Sequence, residues 1–85
     1  MCNNLKELRY LALFIKEECT KRNYNNCKII NVKKYKNNFI VDFYYEKIKG
    51  YPGLYLERIY NKWEVSYKNI DNKYVFTINK EDFSL

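Results

Sequence analysis

Eighty-five residues, 47% hydrophobic and 19% aromatic, make a single domain (1–85) and exclude both a second core and a disordered chain. The net charge is +6 with no histidine, which removes the usual neutral-pH general base and the commonest metal ligand. The longest apolar run, Tyr10 to Ile15, is too short to cross a bilayer, and no signal-peptide pattern opens the chain, so no membrane association and a cytoplasmic location are expected.

The N-terminal segment predicts an amphipathic helix over about residues 4–22. Asn4 is placed to cap it, with Glu7 reaching back as the second half of a capping box. Leu5, Leu8, Ala12, Ile15 and Cys19 recur at helical spacing as a narrow apolar stripe, with Leu11 on its flank. Lys21 and Arg22 favour the carbonyl end of the helix, and Asn23, Asn25 and Asn26 end it. Tyr10, Leu13, Phe14 and Glu17 fall nearly opposite the stripe. They form either a partner surface, a homodimer contact included, or a second core face under the C-terminal tail.

Beyond the helix the period changes from helical to alternating, and strands are expected at about 27–35, 38–46, 54–60, 63–68 and 73–79. An Asn37-Asn38 turn sets Val32 opposite Phe43 and Ile30 opposite Tyr45. Phe39, Val41, Phe43 and Tyr45 share one face. Lys47 to Gly53, which holds both glycines and the only proline, reads as the main loop. An Asn61-Lys62 turn then puts Leu54, Leu56, Arg58, Tyr60, Trp63, Val65 and Tyr67 on one face. Arg58 on that face implies either a place at the sheet's rim, paired with an acid such as Glu81 or Asp82, or a bulge. A last hairpin through Asn69–Asn72 sets Tyr67 opposite Tyr74, Val65 opposite Phe76 and Trp63 opposite Ile78. The expected fold class is α+β: one N-terminal helix on a five-stranded antiparallel meander.

Chemistry is sparse. The two serines, Ser66 and Ser84, lack a glycine-flanked elbow. The neighbouring acids Glu17 and Glu18 diverge around the helix, and no phosphate or dinucleotide glycine pattern occurs. No catalytic residue, metal ligand set or cofactor is expected. Cys2, Cys19 and Cys27 show no metal-type spacing and read as free thiols, the last two as small buried hydrophobes.

Binding is the better reading. Ten tyrosines, five phenylalanines and one tryptophan are more than one helix can shield, so some rings must face solvent or a partner. Tyr10, Leu13 and Phe14, or Tyr44, Tyr51 and Tyr55, are the candidates to fill a partner pocket. The basic excess lies on the first hairpin and the loop after it, with Lys28, Lys33, Lys34, Lys36, Lys47 and Lys49 interleaved with tyrosines. That surface would steer an acidic partner protein, or as an alternative bind RNA or single-stranded DNA. Heavy use of Asn, Lys, Ile and Tyr is what an A+T-rich coding bias produces. Size, missing catalytic groups and surplus rings together suit a small inhibitor of a host or defence protein, of the anti-CRISPR or toxin-immunity type, borne by a phage or mobile element.

Overall fold

The computed structural model describes residues 3–50 and 53–83, with side chains for 6–50 and 53–81. The chain runs α1 (Asn3–Lys21), β1 (Asn25–Tyr35), β2 (Asn38–Gly50), β3 (Leu54–Ile70) and β4 (Lys73–Phe83). The fold is α+β, with the helix on an antiparallel sheet of order β1-β2-β3-β4. The sheet has four strands where five were expected, because Asn61-Lys62 is no turn: β3 runs through it for 17 residues. At about 3.4 Å per residue, β3 alone is long enough to span the whole 52 Å long axis of the molecule.

Helix α1 ends in a Schellman motif. Tyr24 N–H donates to Cys19 C=O at 2.8 Å and Asn23 N–H to Thr20 C=O at 3.1 Å, with Asn23 at φ 62°. Asparagine tolerates that left-handed position, which is how the asparagine cluster stops the helix. At the other end the helix already includes Asn3, and the side chain of Asn4 lies outside the described residues. Glu7 does not complete a capping box. It is buried and turned toward the sheet, where Lys34 Nζ lies 3.2 Å from its Oε1.

The core-facing column of α1 is therefore Glu7, Leu11, Ile15 and Cys19, rotated from the expected stripe. Leu11 sits at its centre, Leu8 is exposed and Ala12 is half-buried. Leu5 lies outside the described side chains. The helix packs on the odd-numbered face of β2 and β3, where Phe39, Val41, Phe43, Trp63 and Val65 are buried. Phe14, Ile29, Val32, Tyr67, Phe76 and Ile78 seal the rim of this core.

The first hairpin turns one residue earlier than expected, and the last is tighter than expected. The first turns at Lys36-Asn37, so Val32 pairs with Val41 and Tyr35 with Asn38. The last turns at Asp71-Asn72, both at positive φ, so Tyr67 pairs with Phe76 and Val65 with Ile78. Each register is displaced by an even number of residues, so the faces near the turns are preserved. Farther along β1 a bulge between Ile29 and Asn31 leaves Ile29 inside and Ile30 exposed, not opposite Tyr45. Residues Lys80–Phe83, expected as a tail, continue β4.

The tail end of β4 is clamped by Arg22. Its guanidinium reaches Glu18 at 2.7 Å and Glu81 at 3.2 Å while lying 4.8 Å from the Trp63 ring centroid. One cation thus joins the last turn of the helix, the central strand and the final strand.

Candidate functional site

Strand β1 pairs with β2 only as far as Asn25 opposite Glu46, and β4 pairs with β3 only as far as Phe83 opposite Asn61. Past those limits, among the described residues, Lys47–Gly50 and Leu54–Tyr60 continue alone as a two-stranded ribbon. The expected loop Lys47–Gly53 is thus largely strand. Tyr51 and Pro52, at its tip, lie outside the described residues.

Because β3 does not turn at Asn61, its even-numbered residues point away from the helix. Leu54, Leu56, Arg58 and Tyr60 are therefore on the sheet's open face and not with Trp63. This also removes the apparent anomaly of Arg58. It needs no buried acid, because it stands on the wet side of the sheet.

Cross-strand pairs order that open face. Gly50 faces Leu54 and Ile48 faces Leu56 at the ribbon's end, followed by Glu46 with Arg58, Tyr44 with Tyr60, and Asp42 with Lys62. A Cβ on Gly50 would lie 2.8 Å from Leu54 Cδ2, so glycine lets Leu54 fold across the neighbouring strand. Ile48, Leu54 and Leu56 are 65%, 83% and 59% exposed. Behind them Arg58 lies 4.8 Å from the Tyr44 ring centroid and its Nε is 3.7 Å from Glu46 Oε2. The Tyr60 hydroxyl, and after it Tyr44, hold the Arg58 guanidinium even more firmly protonated than usual. Tyr44 and Tyr60 pack with centroids 5.5 Å apart.

The opposite side of the ribbon is mainly polar, with Lys47, Lys49, Tyr55 and Glu57 beside the half-buried Ile59, and Lys49 pairs with Glu57 at 3.2 Å. The ribbon's exposed aliphatic side chains are thus concentrated on one face. An isolated pair of strands is marginal in water, and contiguous apolar exposure is uncommon on a monomer. Such a face gains most by lying flat against a complementary apolar surface.

The other sequence-derived candidates are scattered. Tyr10 and Leu13 are exposed and Phe14 half-buried in a groove of about 350 Å³ between α1 and β4, lined also by Glu17, Tyr74, Val75 and Phe76. There Tyr10 packs on Tyr74 and Phe14 on Phe76, each at 5.3 Å, so part of that helix face is already covered by β4. Tyr44 belongs to the open face, whereas Tyr55 projects from the polar side of the ribbon.

The lysines do not converge either. Lys33 is on the open face, Lys36 is in the first turn, and Lys47 and Lys49 are on the far side of the ribbon. Lys34 is on the helix side, bound to Glu7 and within 6 Å of the Phe39 and Tyr67 rings. Among the described residues, no group of three potential ligands is arranged to hold a metal ion. No helix among them is long and apolar enough to cross a membrane.

The Glu7 site gives a pH prediction. Hydrogen bonding from Tyr67, and then from Lys34, holds the Glu7 carboxyl below its ordinary value of 4.5 despite the opposing effect of burial. A carboxylate with a lowered folded pKa stabilises the fold above its unfolded pKa, and that contribution is lost as pH falls through the folded value. Glu7→Gln, which keeps only a neutral acceptor, is expected to cost about 1 kcal/mol at pH 7 and progressively less below about pH 4.5. Urea midpoints at pH 7 and pH 3 test this; a constant gap between wild type and variant would refute it.

Sequence reasoning passed over Ile48, Leu54, Leu56 and Tyr60 as open-face residues. No signal in the sequence marked them: Leu54, Leu56 and Tyr60 are even-numbered, whereas Trp63, Val65 and Tyr67 are odd-numbered, a change of phase that reads as a turn at Asn61. Comparison of the chain with known protein families, with curated proteins and with solved structures gave no match.

Proposed function

We propose that this protein is a small non-catalytic protein-binding module that docks through the open face of its β2–β3 ribbon. The observation that supports this reading is the stripe of Ile48, Leu54 and Leu56 on a projection that, among the described residues, neither helix nor outer strand covers. Arg58 and the Tyr44–Tyr60 pair stand directly behind it and supply the residue types that dominate protein interfaces. The mechanism is steric: the ribbon occupies an apolar groove on the partner and blocks its normal use. In this reading the protein is an inhibitor of a host or defence protein, in the manner of anti-CRISPR or toxin-immunity proteins, with the basic charge steering the approach.

The test compares wild type with Leu54→Ser/Leu56→Ser in affinity capture from cells that carry the gene, with the partner then purified for titration. Both substituted side chains are exposed, so the variant should keep its melting temperature within a few degrees. Loss of a central apolar pair should weaken partner binding at least tenfold. Undiminished capture by the variant would rule out the ribbon. Nucleic-acid binding is the competing outcome. It would show as oligonucleotide affinity that falls steeply between low and moderate salt and is lost in Lys33→Ala/Lys34→Ala/Lys36→Ala.

A further inference from the structure

We infer that Cys19 and Cys27 form a redox modification site, at which a low-molecular-weight disulfide such as oxidised glutathione converts two thiols into one intramolecular disulfide. The inference is independent of the ribbon and of the binding reading. Cys19 lies in the last turn of α1 and is buried, while Cys27 is half-buried near the start of β1. Their Sγ atoms stand 2.9 Å apart, with the Cys19 thiol donating to the Cys27 sulfur.

The surrounding backbone holds them there without help from the sulfurs. The Schellman turn fixes the chain reversal after Cys19, and Asn26 takes a second left-handed conformation at φ 53° just before Cys27. Between them the Tyr24 ring stacks on Tyr45 at 3.7 Å and 1°, pinning the connection to β2. Each cysteine is thus placed by its own element, so closing the bond asks for little movement of either.

The two thiols also differ in the way that exchange chemistry requires. Donation from Cys19, aided by the charge of Lys16, holds the Cys27 thiol below its ordinary value, whereas the same hydrogen bond and burial push the Cys19 thiol up. Cys27 is therefore the attacking thiolate and Cys19 the resolving thiol. Cys27 Sγ attacks one sulfur of the small disulfide, and the first small thiolate leaves and takes up a proton. Cys19 then loses its proton to solvent and attacks Cys27 Sγ, expelling the small molecule's second half as a thiolate that is protonated in turn. Two protein thiols are oxidised, one small disulfide is reduced to two small thiols, and the product ties the end of the helix to the first strand.

The experiment uses the full chain carrying Cys2→Ser, so that only the pair reports. The reduced protein is equilibrated in glutathione buffers of graded ratio, alkylated, digested with trypsin and weighed. The expected product is residues 17–21 joined to residues 23–28, since Lys21 and Arg22 provide cleavage sites between the two cysteines. The oxidised form should melt on the order of 10 °C higher, because the bond constrains the unfolded chain. In Cys19→Ser, Cys27 should accumulate as a mixed disulfide with glutathione; in Cys27→Ser, Cys19 should stay reduced. Two alkylated cysteines in the most oxidising buffer would overturn the proposal, as would mixed or intermolecular disulfides in place of the internal one.

Discussion

Trp63→Ala is expected to destabilise the fold by about 3–5 kcal/mol, a large part of the 5–15 kcal/mol that a domain of this kind possesses. The ring is fully buried at the middle of β3. Phe43 meets it edge-on at 4.6 Å and 74°, and the Arg22 guanidinium covers it at 4.8 Å. Truncation would leave a cavity beside Phe43 in the core cluster, and would also remove the surface on which Arg22 rests while it bridges Glu18 and Glu81. Two losses combine: the packing of the largest core side chain, and the seating of the cation that ties helix to final strand. Urea unfolding should be followed by far-UV circular dichroism, since the substitution removes the only tryptophan. Trp63→Phe should recover much of the loss. A cost below about 1.5 kcal/mol for the alanine variant would mean that the core collapses onto the gap or was never tight there.

The neighbouring inward-facing residue on the same strand should respond with the opposite sign. Asn61 is 1% exposed, and among the described residues neither its Oδ1 nor its Nδ2 has a hydrogen-bond partner. A buried amide left unpaired costs about 1–3 kcal/mol, and leucine has nearly the same branched shape without the polar atoms. Asn61→Leu is therefore expected to stabilise the protein by about 1–2 kcal/mol, read as a higher urea midpoint with an unchanged slope. A lower midpoint would show that the carboxamide is satisfied in solution and that the site is not apolar. The two substitutions make a matched pair, because both sit on the helix-facing side of β3 and differ only in whether the native side chain suits its surroundings.

Asn61 also explains where the sequence reading and the fold part company. Asparagine followed by lysine between two apolar runs is a reasonable turn signal. Here the signal is overridden by a strand partner: Phe43 and Asp42 of β2 supply the ladder for Asn61 and Lys62, and Lys62 Nζ is 3.9 Å from Asp42 Oδ1. Removing one turn inverts every side chain on one side of it. That inversion moved Leu54, Leu56, Arg58 and Tyr60 from the core to the open face and created the candidate site. The helix was misjudged for a related reason. Glu7 counts as polar by composition, yet Tyr67 and Lys34 make its burial tolerable, so the buried column passes through it and not through Leu8.

Local pattern by itself determined the N-terminal helix and its asparagine stop, the alternating antiparallel strands that follow, and the inward set Phe39, Val41 and Phe43. It determined too that the rings outnumber what one helix covers, and Tyr10, Tyr35, Tyr55 and Tyr60 are indeed exposed. Tertiary structure alone decided the strand count, the rotation of the helix, the face that carries the ribbon stripe, and the meeting of Cys19 with Cys27. The physical reason is that periodicity reports two faces per segment but not how faces join across a break. Whether a break exists depends on backbone hydrogen bonds to a strand far away in the chain, and here β2 was long enough to supply them.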